Sequence, residues 1–299
     1  MYSKKISIIS QLLVLYAFII GCKPDAGQTL YPPTSTQNLT TMEVVITFTP
    51  PNDMTATHKV EIHSTLAPEG ATKMIAEMIK TNGNCKLPCW WGILPGQTTV
   101  GDVKDTLGTF IPNITPYPSQ ADQEGLSFYF NDPFNSNFEY GVVLYSKNGI
   151  IERINALSFR SLSDLFEEIG IPKEIWIHSS GVSMGSYPPS FSFALVYPDQ
   201  GIAVYLLQIF GDYVKHNGAE YAQFCPSNIA ERKNLNLYLW SPKNELALDE
   251  IFESIYRSTD FPKYKRLQEV SDMNEQTFSE VVTTQNVDQC LKTPLNIWP

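Results

Sequence analysis

Residues 85–108 read CKLPCWWGILPGQTTVGDVKDTLG, and the expected architecture of the chain follows from this segment. It opens with two cysteines and two tryptophans, and continues through the turn-forming pair Pro95-Gly96. Because a pair of indoles is costly to expose, we expect a structural corner in which a short disulfide loop packs both rings inside. Thr99 to Asp102 has the pattern of a helix capping box, and Gly108 is a suitable end for that helix.

The same helical pattern occurs a second time, 62 residues later along the chain. When Gly108 is placed on Gly170, Thr99 falls on Ser161 and Asp102 on Asp164. The inward apolar positions of the two helices also coincide, since Val103 and Leu107 fall on Leu165 and Ile169. A period of this length suits a repeated supersecondary unit rather than a short solenoid repeat.

Each of these helices is followed by segments with the residue alternation of β-strands. In each group, one hairpin turn separates the last two strands. The predicted strands are 126–131, 140–146 and 150–157 after the first helix, and 174–178, 191–197 and 202–208 after the second. The sequence lacks the alternation of strands and helices that would predict a parallel sheet. The sequence therefore predicts an α+β fold of tandem helix-plus-antiparallel-meander units, over 85–158 and 159–210, behind an N-terminal signal peptide.

Two short motifs resemble known families of bacterial lipoproteins. The string Gly-x-Thr-x-x-acid-Val-x-x-x-Leu-Gly from Gly96 to Gly108, with its following hairpin, resembles the small lipoprotein of the β-barrel assembly machinery and the β-lactamase-inhibitor-like fold. The resemblance implies ααβββ units over about 85–208. The CxxxCWWGIxPGxT block resembles a type of bacterial lipoprotein to which no activity is assigned. Neither likeness transfers a functional residue to this chain.

The N-terminus has the features of an export signal. Lys4 and Lys5 precede an apolar run from Ile6 to Ile20, which is too short to span a membrane. The run ends in Ile19-Ile20-Gly21-Cys22, which resembles a lipobox. That resemblance implies cleavage before Cys22 and fatty acyl chains on its thiol, holding the protein on the outer face of the cell membrane or in the outer membrane.

Three further segments complete the predicted organisation. Residues 22–41 are rich in Pro, Thr, Ser and Asn, and we expect a flexible tether. Residues 42–84 carry two predicted strands, 42–49 and 58–65, and a helix from Pro68 to Thr81. Residues 211–299 are predicted as a C-terminal segment packed on the body, with a strand at 235–240 (LNLYLW) and a helix at 246–256.

Charge restricts the classes of partner. The formal net charge is −10, and removal of Lys4 and Lys5 with the signal makes it −12. This balance argues against nucleic acid as a partner and against an electrostatic grip on anionic lipid.

The cysteines other than Cys22 are expected to be oxidised in an exported protein. Four cysteines allow three pairings, and we favour Cys85–Cys89 with Cys225–Cys290. The alternatives are a redox site at Cys85–Cys89, which lacks the Cys-x-x-Cys spacing, and a metal site. Because His58, His63, His178 and His216 are scattered, we predict surface histidines, no metal and no cofactor.

No familiar catalytic motif occurs in the sequence. Two places remain as candidate binding or catalytic features: Trp90 with Trp91, as an aromatic corner, and the Ser-rich loop 179–186 beside His178. The leading hypothesis is a non-catalytic lipoprotein that binds another envelope protein. The alternative is an exported ligand-binding protein or hydrolase that uses the tryptophan corner or the Ser-rich loop.

Overall fold

A nine-stranded antiparallel sheet carries most of the fold in the computed structural model. The structure describes residues 66–118, 124–135, 137–179, 188–244, 246, 250–251 and 264–298, and all of them belong to one compact unit. Several predicted features lie outside these residues: the signal, Cys22, the tether, the strands at 42–49 and 58–65, and residues 180–186 of the Ser-rich loop.

Five α-helices are present in the described residues, and their ends follow from local sequence. Their bounds are α1 Pro68–Thr81, α2 Val100–Leu107, α3 Leu162–Ile169, α4 Leu267–Val270 and α5 Glu275–Thr284. Both predicted capping boxes are confirmed, with Thr99 and Asp102 at the start of α2 and Ser161 and Asp164 at the start of α3. Each side chain accepts the other residue's backbone N–H, which satisfies amides that the helix itself leaves unpaired.

The strands of the large sheet are β1 Thr115–Pro118, β2 Glu124–Asn131, β3 Glu139–Lys147, β4 Ile150–Ser158, β5 Glu174–Ser179, β6 Ser190–Tyr197, β7 Ile202–Phe210, β10 Leu235–Trp240 and β11 Lys265–Arg266. Their order across the sheet is β1-β2-β3-β4-β10-β7-β6-β5-β11. A second sheet contains β8 Asp212–His216, β9 Ala219–Phe224 and β12 Leu291–Pro294, in the order β12-β9-β8. The predicted α+β fold with antiparallel meanders is confirmed.

Strand β10 joins the two meanders, although it comes from the segment predicted to pack on the body. Leu237 pairs with Ala156 of β4 on one side and with Val204 of β7 on the other. The five apolar residues among the six of LNLYLW are all buried, as a strand covered on both faces requires. The two predicted units are therefore halves of one sheet.

The two halves share an order of elements but differ in how each helix meets its hairpin. At the start of α2, the Val100 N–H donates to Gly149 O in the β3–β4 turn, over 2.9 Å. At the end of α3, Gly170 O accepts the Tyr197 hydroxyl at the end of β6, over 3.1 Å. The sequence repeat thus encodes the same capped helix twice, with opposite ends of the helix held at the two hairpins.

One face of the large sheet, here called the inner face, carries the main core. Its side chains pack against α2, α3 and α5, with Val103, Leu165 and Phe278 fully buried. The opposite, outer face has a smaller cluster over the second half of the sheet, where Ile251 and Tyr264 pack with Tyr205 and Tyr238. The two halves of the outer face therefore differ, because this cluster does not extend over β1, β2 and β3.

Candidate functional site

The corner at residues 82–93 is built around a stacked tryptophan pair. The ring centroids of Trp90 and Trp91 are 4.3 Å apart, with 8° between the planes. Both side chains are buried, at 2% and 1% exposure, and Trp91 also contacts the ring of Phe130. The Trp90 indole N–H donates to Leu157 O over 3.1 Å, so the polar edge of that ring is satisfied in the core.

Asn82 holds this corner together through its side-chain amide. Its Nδ2 donates to Cys85 O over 3.0 Å and to Cys89 O over 2.9 Å, while its Oδ1 accepts the Trp91 N–H over 3.3 Å. Cys85 and Cys89 are disulfide-bonded, as predicted. Asn82 has φ 53°, a left-handed conformation that asparagine tolerates better than most residues.

The space beside the tryptophans is too small for a ligand. A cavity of about 20 Å³ is bounded by Asn82, Trp90, Trp91 and Arg160, and this volume suits a single water molecule. Neither indole presents a face to solvent. The sequence hypothesis that Trp90 and Trp91 form a binding corner is therefore not supported, and the structural alternative describes the corner correctly.

The second predicted disulfide, Cys225–Cys290, is present and cross-links two strands of the smaller sheet. It links the end of β9 to the start of β12, directly beside the register pair Phe224 and Leu291. The two bonds together account for four of the five cysteines in the chain, and Cys22 is the fifth.

The other predicted features give no assembled catalytic group. Of the 179–186 loop, the structure describes only Ser179, which is buried at the end of β5. His178 packs beside the rings of Tyr264 and Trp298, and His216 is exposed in β8. His58 and His63 lie outside the described residues. Across the described ranges there is no group of three His, Cys, Asp or Glu placed to hold a metal ion.

A row of side chains that the sequence did not predict crosses the outer face of the first half of the sheet. Tyr117 pairs with Gly125, Gly125 with Tyr145, Tyr145 with Arg153, and Arg153 with Trp240. We call these five residues the outer row. Gly125 lets the Tyr117 and Tyr145 rings meet edge-on across it, with centroids 6.0 Å apart. The Arg153 guanidinium carbon lies 5.2 Å from the Tyr145 ring centroid, which is a cation–π contact.

Tyr145, Arg153 and Trp240 of the outer row line a cleft of about 160 Å³. Its polar rim includes Lys147, Glu152 and Asn244, and the Asn244 Nδ2 donates to Glu152 Oε2 over 2.5 Å. Glu152 is the extra residue of a β-bulge, because Tyr145 pairs with Arg153 while Ser146 pairs with Ile151. A bulge re-aims the side chain it inserts, and here it accompanies a carboxylate placed at the cleft.

Burial controls the ionisation of the tyrosine at the centre of the row. It raises the pKa of the Tyr145 phenol, Tyr238 raises it further, and Arg153 opposes the shift. The phenol is therefore protonated at neutral pH, where it can donate a hydrogen bond to a bound group.

Comparison of the chain with protein families, curated proteins and solved structures gave no match. No helix in the described ranges is long and apolar enough to cross a membrane.

Proposed function

We propose that this chain is an extracytoplasmic lipoprotein, anchored through lipid on Cys22, whose folded body binds another envelope protein without catalysis. The observation that carries the anchoring is the lipobox-like Ile19-Ile20-Gly21-Cys22 at the end of an export signal. The two disulfides support it, because such bonds persist in oxidising compartments outside the cytoplasm.

The outer row is the binding surface that we assign to the partner protein. Tyrosine and arginine are enriched among the residues that dominate the energetics of protein interfaces, and the row places Tyr145 and Arg153 side by side on a rigid sheet, with Trp240 buried next to them. Its cleft of about 160 Å³ is smaller than the roughly 300–1,000 Å³ typical of small-molecule sites. A side chain from a protein partner is the better match to that volume.

Mass spectrometry of the protein purified from membranes of its native host tests the anchor. We expect an N-terminal peptide that begins at Cys22 and carries acyl chains, and we expect Cys22→Ser to abolish that modification. An intact Met1 terminus in the native protein would overturn the anchoring.

Site-specific photocrosslinking in intact cells tests the binding surface. A photoreactive residue at Lys147, on the rim of the cleft, should capture one discrete partner, and Arg153→Ala should reduce that product at least several-fold. The matched control is a photoreactive residue at Lys173, which forms an exposed ion pair with Asp199 beside the β6–β7 turn. Equal products from Lys147 and Lys173, or none from Lys147, would refute the assignment.

A further inference from the structure

One end of the large sheet gathers most of the exposed apolar side chains of the described residues. The described residues include eight exposed large hydrophobic residues. Five of them lie at this end of the sheet, with exposures from 42 to 74%: Leu66, Tyr129, Phe134, Phe138 and Phe210. We call these five residues the aromatic end. A concentration of this kind marks a surface that is covered in the working protein.

The sheet topology places four of the five at the same end of the sheet, with β2 and β7 four strands apart. Strand β2 ends and β3 begins at this end, so Tyr129 and the β2–β3 loop with Phe134 and Phe138 lie there. Strands β4 and β7 both pair antiparallel with β10 and therefore run parallel to each other. Both finish at the same end as β2, which brings Phe210 there as well.

The described chain also begins at this end. The Leu66 N–H donates to Thr109 O over 2.8 Å, just after α2. The next residue, Phe110, lies 6.4 Å from the ring of Trp91, and Trp91 lies 5.0 Å from the ring of Phe130, near the end of β2. Leu66, the first described residue, therefore lies at the same end of the sheet as the exposed aromatic residues.

The β2–β3 loop is held in shape by Asp132. Its Oδ1 accepts the Phe134 N–H over 2.8 Å, and its Oδ2 accepts the Tyr140 hydroxyl over 3.0 Å. The Asp132 N–H itself donates to Phe138 O over 2.9 Å. These hydrogen bonds hold the backbone next to Phe134 and Phe138 in place, which reduces the conformational entropy lost when the two rings are buried.

Charges of both signs surround the aromatic residues. Arg232 and Lys233 are exposed just before β10, next to Asn234, whose amide donates to the Tyr140 hydroxyl over 3.2 Å. Asp132 lies beside Asn234, because its Oδ2 accepts the same Tyr140 hydroxyl, and the exposed acids near these residues are Glu139, Glu231 and Asp212. Because this end has no excess of positive charge, apolar burial is the term that favours a partner surface here.

We propose that the aromatic end rests on the surface of a lipid bilayer, with Phe134 and Phe138 inserted among the headgroups. Aromatic side chains favour this boundary layer, and long cationic side chains can extend along it. Two phenylalanines bind a bilayer weakly alone, but a covalent lipid anchor on the same chain raises their effective concentration at the membrane. The inference rests on the proposed lipid anchor.

Fluorescence quenching by brominated lipid tests the contact without the native lipid. Residues 22–299 with Cys22→Ser are held on phosphatidylcholine vesicles by an N-terminal histidine tag and a nickel-chelating lipid. Phe134→Trp reports on the aromatic end. Ile171→Trp is the matched control, since Ile171 is exposed at the opposite end, one residue after the Gly170 carbonyl that Tyr197 contacts.

We expect brominated chains to quench the added emission of Phe134→Trp at least twofold more than that of Ile171→Trp. Phe138→Ser should reduce this quenching, and a change in salt concentration should leave it nearly unchanged. Equal quenching at the two positions would overturn the bilayer contact. This result is independent of the Cys22 lipid, so mass spectrometry can refute the anchor while quenching supports or refutes the contact.

Discussion

The indole of Trp90 lies parallel to that of Trp91, with 4.3 Å between the ring centroids, and both rings are enclosed by the inner face of the sheet. Adjacent residues seldom stack, because their side chains normally point in different directions along a chain. Here Trp91 takes φ 52°, in the left-handed region, which turns its side chain onto that of Trp90. The corner is therefore a structural element that depends on local backbone conformation and on burial.

Replacement of Trp91 by alanine should destabilise the fold by about 3–5 kcal/mol, the usual cost of removing a large buried aromatic side chain. Urea denaturation followed by circular dichroism measures this change. Ile171→Ala is the control, because truncation of an exposed side chain should change the free energy of unfolding by no more than about 0.5 kcal/mol. A loss below about 1 kcal/mol for Trp91→Ala would show that the indole is dispensable to the core.

Asn82→Gly should lower the free energy of unfolding by about 2 kcal/mol. Glycine keeps the left-handed backbone conformation but leaves the carbonyls of Cys85 and Cys89 without their amide donor. The matched control is Asn148→Gly in the β3–β4 turn, which has the same φ of 53°. Equal effects in the two variants would mean that the side-chain hydrogen bonds of Asn82 contribute nothing.

The two disulfides should differ in what they add to stability. Chain entropy predicts about 4 kcal/mol for Cys225–Cys290, with a sequence separation of 65, and about 2 kcal/mol for Cys85–Cys89, with a separation of 4. Paired Cys→Ala variants, unfolded in guanidinium, provide the comparison. If the shorter loop proves the more costly to open, the packing of the tryptophan corner contributes more than the loop constraint.

The capping box of α2 should be visible in acid. Hydrogen bonds from the Thr99 hydroxyl and then the Thr99 backbone N–H lower the pKa of Asp102 below its usual 3.8. Because the pKa of Asp102 is lower in the folded state than in the unfolded state, the ionised carboxylate stabilises the fold at pH values above the unfolded-state pKa. This contribution is lost as the pH falls through the folded-state pKa. We expect Thr99→Ala to raise the Asp102 pKa toward 3.8 in a carboxyl NMR titration. Thr109→Ala, whose hydroxyl donates to Thr106 O, should leave the Asp102 pKa unchanged.

Local patterns predicted the helices well, because their ends depend on neighbouring residues. Helix α1 spans Pro68–Thr81 as expected, and both capping boxes are where the sequence placed them. The strand pairing of the C-terminal region was harder to predict. The alternation of LNLYLW predicted a strand, but nothing in six residues specifies that their neighbours are Ile154 and Ala203. Most of the Ser-rich loop at 179–186 and most of the helix expected at 246–256 lie outside the described residues.

The outer row could not be found from sequence at all. Its members Tyr117, Arg153 and Trp240 become neighbours only through the register of five strands, including a bulge next to Tyr145. A shift of one residue in that register would turn each side chain to the other face. The tryptophan pair is the reverse case: it is conspicuous in the sequence, but both of its side chains lie in the core.

The position of β10 has a consequence for how the protein is made. Residues 235–240 are synthesised after both meanders, so one edge of β4 and one edge of β7 remain unpaired until the strand between them is made. During this interval each half offers a template for another copy of the chain. A chain that ends before Leu235 should therefore aggregate, and the full chain should depend most on chaperones in the interval before its last quarter is complete.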